Sequence, residues 1–268
     1  MAQDDGRIER AARWLHDAHS ARHAFSALPA EFAPDSIAEA DAMQEAFVAL
    51  KAKALKASVA GFKVAITTQA MRDFTRFQDS IPGVVLDKQI QRSPGVLRLA
   101  EYGNALIECE LAFEIGEDVV STGTPFDRVT IGRHVSAVMP AFEIADDRHA
   151  DYQTIASDIL SLAADNAWNE GAVLGAPVRD WKGIDLGAVH GVAKINDAVV
   201  GEGYGRDVLG HPLEALAWLA NRLLAGGRTL RRGHVVLTGS LVASKFPKAG
   251  DRVDFAVEGL GSVGLRAE

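Results

Sequence analysis

One cysteine in 268 residues leaves the chain without an internal disulfide or a thiol-based metal framework. A lone thiol suits a reducing compartment, so a cytoplasmic location is expected. No apolar stretch approaches the roughly 18 residues of a membrane span, and the N-terminal MAQDDGRIER has no apolar signal core. Runs of lysine and arginine are missing, and the net charge is −8, which argues against a broad nucleic-acid surface. G-x-S-x-G, P-loop and dinucleotide fingerprints are absent, as are internal repeats and low-complexity segments. What remains is an ordinary globular composition, 48% hydrophobic and 24% charged, long enough for one large domain or two small ones.

The first third reads as largely helical. Ile8, Ala11, Ala12, Leu15, Ala18 and Phe25 make an apolar stripe that predicts a helix over residues 7–28, with Pro29 beyond it. A second helix is predicted over Ile37–Leu55, with Asp35 or Ser36 as N-cap and Glu39 in capping-box spacing. A short strand follows Gly61, from Phe62 to Ile66. Residues 70–83 read as a short helix and a loop ending at Pro-Gly. From residue 84 onward β-type runs dominate: Val84–Leu86, Val96–Leu99, Ala105–Ile115, Val135–Ile144, Ala188–Ile195, Ala198–Glu202, His234–Leu237 and Arg252–Val257. Asn196-Asp197 marks a hairpin. Two helices interrupt the strands, about Ile155–Leu160 and Pro212–Leu224. This order predicts an α+β fold, with a helical part over 1–83 and a strand-rich part over 84–268 forming one continuous unit.

The run ALIECELAFEI, residues 105–115, carries two acids in an apolar strand. Side chains alternate along a strand, so Glu108 and Glu110 project from one face. Two buried carboxylates on one face need positive compensation, which a hard divalent cation, or a paired arginine, supplies. Glu143, in VMPAFEIADDR, also interrupts an apolar run. Three carboxylates with waters suit magnesium or manganese. Glu114 continues the face of Glu110 but lies ~13 Å further on and is expected to be solvated. Cys109 points to the opposite face and reads as core packing. Lys63 lies among Phe62, Val64 and Ile66. Buried, it needs an anion and is suited to gripping a carboxylate; otherwise its amine snorkels to the surface. Thr238-Gly239-Ser240 ends the GHVVL strand in a hydroxyl-bearing turn of a kind that binds anions and that ordinary loops also use. Arg72 and Arg76 can meet a second substrate carboxylate or simply be solvated. His16, His19 and His23 share one helix face, and their polar neighbours predict a solvated stripe.

Taken together, SIAEADAMQ, GFKVAITTQAM, IECELAFEI, PAFEIADDR, ADNAWNEGAVLG, LEALAWLANRL, GHVVLTGS and AGDRV resemble, in order, the fumarylacetoacetate hydrolase superfamily, in its branch of 2-keto-4-pentenoate hydratases and 4-oxalocrotonate decarboxylases. The resemblance implies a strand-rich mixed β-roll, like the fumarylacetoacetase C-terminal fold, preceded by a smaller α/β part, in a homo-oligomer that a pathway enzyme can accompany. It implies Mg2+ or Mn2+ on Glu108, Glu110 and Glu143, with Lys63 beside the substrate and Thr238 to Ser240 supplying the hydroxyl turn. Relatives carry Pro-Asp-x-Gly after the lysine, whereas this chain reads Asp79-Ser80-Ile81-Pro82-Gly83, so Asp79 is the candidate replacement acid. Hydrolytic relatives use a histidine and a glutamate on a lid helix, and residues 70–83 contain neither. The implied reaction is hydration of a 2-hydroxy-2,4-dienoate in aromatic-compound catabolism, with Ser240 orienting the substrate. Alternatives are decarboxylation of a 2-oxo-dioate, C–C bond hydrolysis, or a non-catalytic partner subunit. Expected partners are a small 2-oxo or 2-hydroxydienoate, with no nucleic acid and no membrane.

Overall fold

A computed structural model describes residues 2–121 and 123–268, with side chains from residue 6 onward. In chain order the elements are α1 (Ala2–Ala21), α2 (Ile37–Leu55), β1 (Val59–Ala65), α3 (Gln69–Thr75), β2 (Ile81–Leu86), β3 (Ile90–Arg92), β4 (Gly95–Leu97), β5 (Ala105–Ile115), α4 (Arg128–Gly132), β6 (Val135–Asp146), α5 (Ile159–Ala164), β7 (Asn169–Leu174), β8 (His190–Ile195), β9 (Ala198–Tyr204), α6 (Pro212–Ala225), β10 (Val235–Lys245), β11 (Arg252–Val257) and β12 (Gly261–Ala267). The strands form a seven-stranded mixed sheet, β2-β1-β10-β5-β6-β7-β3, and a five-stranded sheet, β4-β12-β11-β8-β9. Phe142 of β6 and Phe255 of β11 approach to 6.4 Å between ring centroids, so the two sheets share a core. Residue 83 falls inside β2, and β1 and β2 belong to the same sheet as β10, so no structural break separates 1–83 from the rest. Among the described residues no helix is long and apolar enough to cross a membrane.

Several boundaries differ from the sequence reading. The first helix ends at Ala21, not near 28, because Arg22 turns left-handed at φ 54° and the chain runs on irregularly to Phe25. Ser36 caps α2 by accepting the Glu39 N–H, while the Glu39 carboxylate accepts from Asp35 N–H. The helix expected at 155–160 lies at Ile159–Ala164. β10 continues past Gly239 to Lys245 through register irregularities, and β7 and β12 escaped notice because Asn169, Glu170 and paired glycines break their β-type pattern. The β8–β9 hairpin turns at Asn196-Asp197, both at positive φ, as a tight primed turn requires.

The long strands β5, β6 and β10 position the site. Their register is fixed by apolar residues on the face turned to the other sheet, including Ile107, Cys109, Leu111, Phe113 and Phe142, all buried. The opposite face therefore carries the glutamates of β5 and β6, above a floor of Ala112, Ala137, Met139 and Ala141.

Candidate metal centre

Glu108 and Glu110 project from one face of β5, and Glu143 of β6 stands directly opposite Glu108 in the antiparallel register. One carboxylate oxygen from each lies within 4.8 Å of the other two. Glu110 and Glu143 are fully buried; Glu108 is partly exposed and faces a cavity. The supports are specific. Gly239 N–H donates to Glu110 Oε2 at 2.7 Å, Ser244 Oγ to Glu108 Oε1 at 2.9 Å, and Asn169 Nδ2 to Glu143 Oε1 at 3.0 Å. Gly239 sits at φ 110°, and a Cβ there would lie 1.9 Å from Thr67 Oγ1, so only glycine turns its N–H to Glu110.

Lys63 Nζ completes the group, 3.0 Å from Glu143 Oε1 with its side chain 3% exposed. It does not snorkel: from β1, a strand flanked by β2 and β10, its amine is held at Glu143 beside the cavity. Its stem crosses Gly83, where a Cβ would sit 2.7 Å from Lys63 Cγ. Burial alone would lower the Lys63 pKa, but Glu143, Glu108 and Glu110 outweigh it and hold the amine charged. Burial, then repulsion from Glu143 and Glu108, pushes Glu110 well above the usual carboxylate range. Burial also raises Glu143, against the opposing pull of Lys63.

This donor set fits a divalent cation. When ionised, the three carboxylates outnumber the one ammonium by two negative charges, and burial resists that state unless a cation is added. Glu110 Oε1 and Glu143 Oε2 are buried oxygens with no hydrogen-bond partner among the described residues. Unsatisfied buried carboxylate oxygens are expensive, and hard oxygen donors in this number suit Mg2+ or Mn2+.

Lys63 and Glu108 of this centre line a cavity of about 280 Å³. Beyond Lys63, Glu108, Ser240 and Ser244, its walls include Ile155, Leu162, Ala167, Trp168, Tyr152 and Phe74. Among the described residues, Lys63 is the one cation lining it.

Other expected site residues fall elsewhere. Ser240 lines the cavity, but its hydroxyl donates to Val242 O at 2.6 Å and accepts from Cys109 N–H at 3.0 Å, tying the bulged strand together. Thr238 is fully buried, outside the cavity, donating to Leu111 O at 3.1 Å. Arg72 borders an adjacent cavity with Arg206, because α3 turns that face away from the centre, and Arg76 is exposed. Asp79 is exposed and accepts from Trp218 Nε1 at 2.8 Å; the displaced proline-aspartate order leaves this carboxylate outside the cavity. The histidine stripe also divides. His23 is exposed, whereas His19 turns inward with its side chain 13% exposed, against the solvated reading. Cys109 is core packing as expected, its thiol pushed by burial to about 12. Ser244, Asn169, Tyr152 and Trp168 went unnoticed in the sequence. Ser244 lies past the point where β10 looked finished, Tyr152 carried no motif, and Trp168 and Asn169 lay in the ADNAWNEGAVLG segment without a role assigned to them.

The model of the fumarylacetoacetate (FAA) hydrolase C-terminal family matches residues 57–266. The chain is 32% identical over 210 residues to a 2-hydroxyhexa-2,4-dienoate hydratase of Comamonas testosteroni, covering 78% of each. It is 30% identical over 208 residues to a 4-oxalocrotonate decarboxylase of Pseudomonas putida, covering 78% of this chain and 77% of that one. Its fold superposes on the 4-oxalocrotonate decarboxylase from Pseudomonas putida G7, complexed with magnesium and adipate, with a TM-score of 0.89 over 98% of each chain at 24% identity.

Proposed function

The chain belongs to the fumarylacetoacetate hydrolase C-terminal family, and on that premise we propose that it is a divalent-metal-dependent hydratase of a 2-hydroxy-2,4-dienoate with an uncharged tail. The product is a 4-hydroxy-2-oxo acid. One observation carries this reading: the charged residues lining the cavity, Lys63 and Glu108, both belong to the acidic centre, and the rest of the described lining is uncharged and largely apolar. A substrate with one carboxylate and a hydrocarbon tail matches that polarity.

Glu108, Glu110 and Glu143 would hold the cation, which supplies Lewis acidity toward negative charge on the substrate's C1 carboxylate and C2 oxygen. The chain's own residues do the rest. Lys63, kept as an ammonium by three glutamates, offers N–H donors to the same end of the substrate. Among the groups lining the cavity it is the one cation placed to donate to the C2 oxygen and stabilise the negative charge that develops there as the dienol ketonises. That step moves the hydroxyl proton to the far end of the diene and leaves a C3–C4 double bond conjugated with the ketone. Water then adds across this bond, oxygen to C4 and hydrogen to C3. Ser244 and Asn169 keep Glu108 and Glu143 oriented throughout. Trp168, Ile155 and Leu162 exclude bulk water from the tail.

A second reading, decarboxylation of a 2-oxo-dioate, has the Pseudomonas putida relative in its favour. Against it, a dioate needs a second cation at the tail, and Arg72 borders the neighbouring cavity instead. The experiment offers freshly generated 2-hydroxypenta-2,4-dienoate, its methyl homologue and 2-hydroxymuconate with Mg2+, Mn2+ or EDTA. The ultraviolet loss of dienol is followed, and products are identified by mass. Metal-dependent gain of one water by the monocarboxylates is expected. Exclusive turnover of the dioate with CO2 release overturns the reading.

A further inference from the structure

Residues 166–168 are three successive non-glycine residues with positive φ, 55°, 44° and 62°. Left-handed backbone is unfavourable for each of them, so the surroundings must hold the turn. Much of the site hangs on it. Ala167 and Trp168 form cavity wall, Asn166 bonds both backbone groups of Val84, and Asn169 donates to the Glu143 carboxylate.

Asp165 before this segment and Glu170, two residues after it, are acids that meet one imidazole. His19 of α1 places Nε2 2.5 Å from Asp165 Oδ1 and Nδ1 3.0 Å from Glu170 Oε1. Donation to a carboxylate from each ring nitrogen takes an N–H on each, the imidazolium; in the neutral ring Nε2 would accept from Arg148 and lose its bond to Asp165. Arg148 donates from Nη2 to Asp165 Oδ2 at 2.6 Å, and its Nη1 lies 2.7 Å from His19 Nε2, so two cations converge on one carboxylate. Lys51 Nζ holds Glu170 at 2.6 Å. Phe47 packs on the ring at 4.8 Å between centroids.

We propose that His19 is a clip that joins the two ends of the 165–170 turn, and so acts as a positioning residue for the Trp168 wall and for Asn169 beneath Glu143. The inference rests on the assignment of that cavity as the active site, and extends it to a residue that touches neither substrate nor metal ligand. Because both bonds need a charged ring, the clip opens as pH rises. The groups facing His19 are Asp165, Glu170, Arg148 and Lys51, with His16, Glu101, Tyr102 and Asp146 around the small cavity beside it. Burial and Arg148 act against the charged ring, and the two carboxylates outweigh them, which raises its pKa.

The test uses His19→Leu and His19→Gln in the full chain, each verified as folded by circular dichroism at the assay temperature. Trp168 emission is isolated by subtracting the spectrum of each protein's Trp168→Phe counterpart. Mn2+ affinity is measured by calorimetry, and kcat and KM separately with the dienoate. For His19→Leu a shifted Trp168 emission, Mn2+ binding weaker by about tenfold and a fall in kcat/KM of about tenfold are expected. The glutamine variant, with donors for one carboxylate, should fall between. Wild-type Trp168 emission should move above the ordinary histidine range of pH, and that of His19→Leu should not. If the leucine variant is folded and melts earlier but keeps wild-type Trp168 emission and Mn2+ affinity, His19 is only a stabilising contact and the proposal fails. Should that variant not fold, the glutamine variant and the wild-type pH titration decide by the same criteria. If no form turns over any dienoate, the proposed reaction fails, while emission and Mn2+ affinity still decide the clip.

Discussion

Replacing Glu110 by glutamine removes one charge from the metal centre while changing its shape very little. At a separation of 4.8 Å, the upper limit within this trio, two unit charges repel by about 3.5 kcal/mol at an effective dielectric constant of about 20. Glu143 and Glu108 both repel Glu110 and Lys63 attracts it, so an ionised Glu110 carries a net penalty of that order before burial adds to it. Without metal, burial and its neighbours push Glu110 toward its protonated form. The amide mimics that state, keeps an acceptor for Gly239 N–H, and puts a donor beside two carboxylates. Metal-free Glu110→Gln should therefore melt at the wild-type temperature or a few degrees above it. Metal reverses the order. A cation at about one hundred times its Kd stabilises the wild type by about 2.7 kcal/mol, which is roughly 5–11 °C for a chain of this size. The variant should lose most of that shift. Calorimetric melting with EDTA, MgCl2 or MnCl2 reads both arms. A variant that keeps the full metal-induced shift, or that melts several degrees lower without metal, refutes the reasoning.

Three further outcomes follow from the same structure. Lys63→Met should lower kcat/KM by about 10²- to 10⁴-fold without weakening Mn2+ binding, since it removes a cation that competes for Glu143; calorimetry and kinetics together check this. Asp79→Asn should stay within about twofold of wild-type activity, because its carboxylate is exposed and turned to Trp218, and a tenfold loss would return it to the mechanism. The buried network should stabilise the fold over a bounded pH window. His19 has a raised pKa, so its contribution is complete below about 6.5 and declines as pH rises through the folded value. For Glu170, burial is outweighed by Lys51 and His19, which hold it down to about 2, so its contribution is complete above the ordinary glutamate range and is lost as pH falls toward that value. The difference in melting temperature between wild type and His19→Leu should therefore be greatest near pH 5–6 and narrow on either side.

The amino-acid sequence by itself determined the acids. Period-two alternation puts Glu108 and Glu110 on one face of any strand that contains them, and the apolar residues between them must turn to the core. It also determined the elements whose patterns are strong: α2 with its Ser36 cap, α6 behind Pro212, and the Asn196-Asp197 hairpin. Tertiary structure decided what surrounds the acids. Lys63 looks like a snorkelling amine until β1 is placed between β2 and β10, and its stem fits only because Gly83 has no side chain. Asp79, Arg72 and Thr238 looked functional because their residue types were right, but strand and helix orientation turned them to Trp218, to a neighbouring cavity and to the Leu111 carbonyl. His19 looked solvated because its sequence neighbours are polar, while its partners Asp165 and Glu170 lie about 150 residues away. Local pattern reports which face of an element is apolar. Which distant charge meets a polar side chain depends on strand order, register and the handedness of a few backbone turns, and these exist only once the chain has folded.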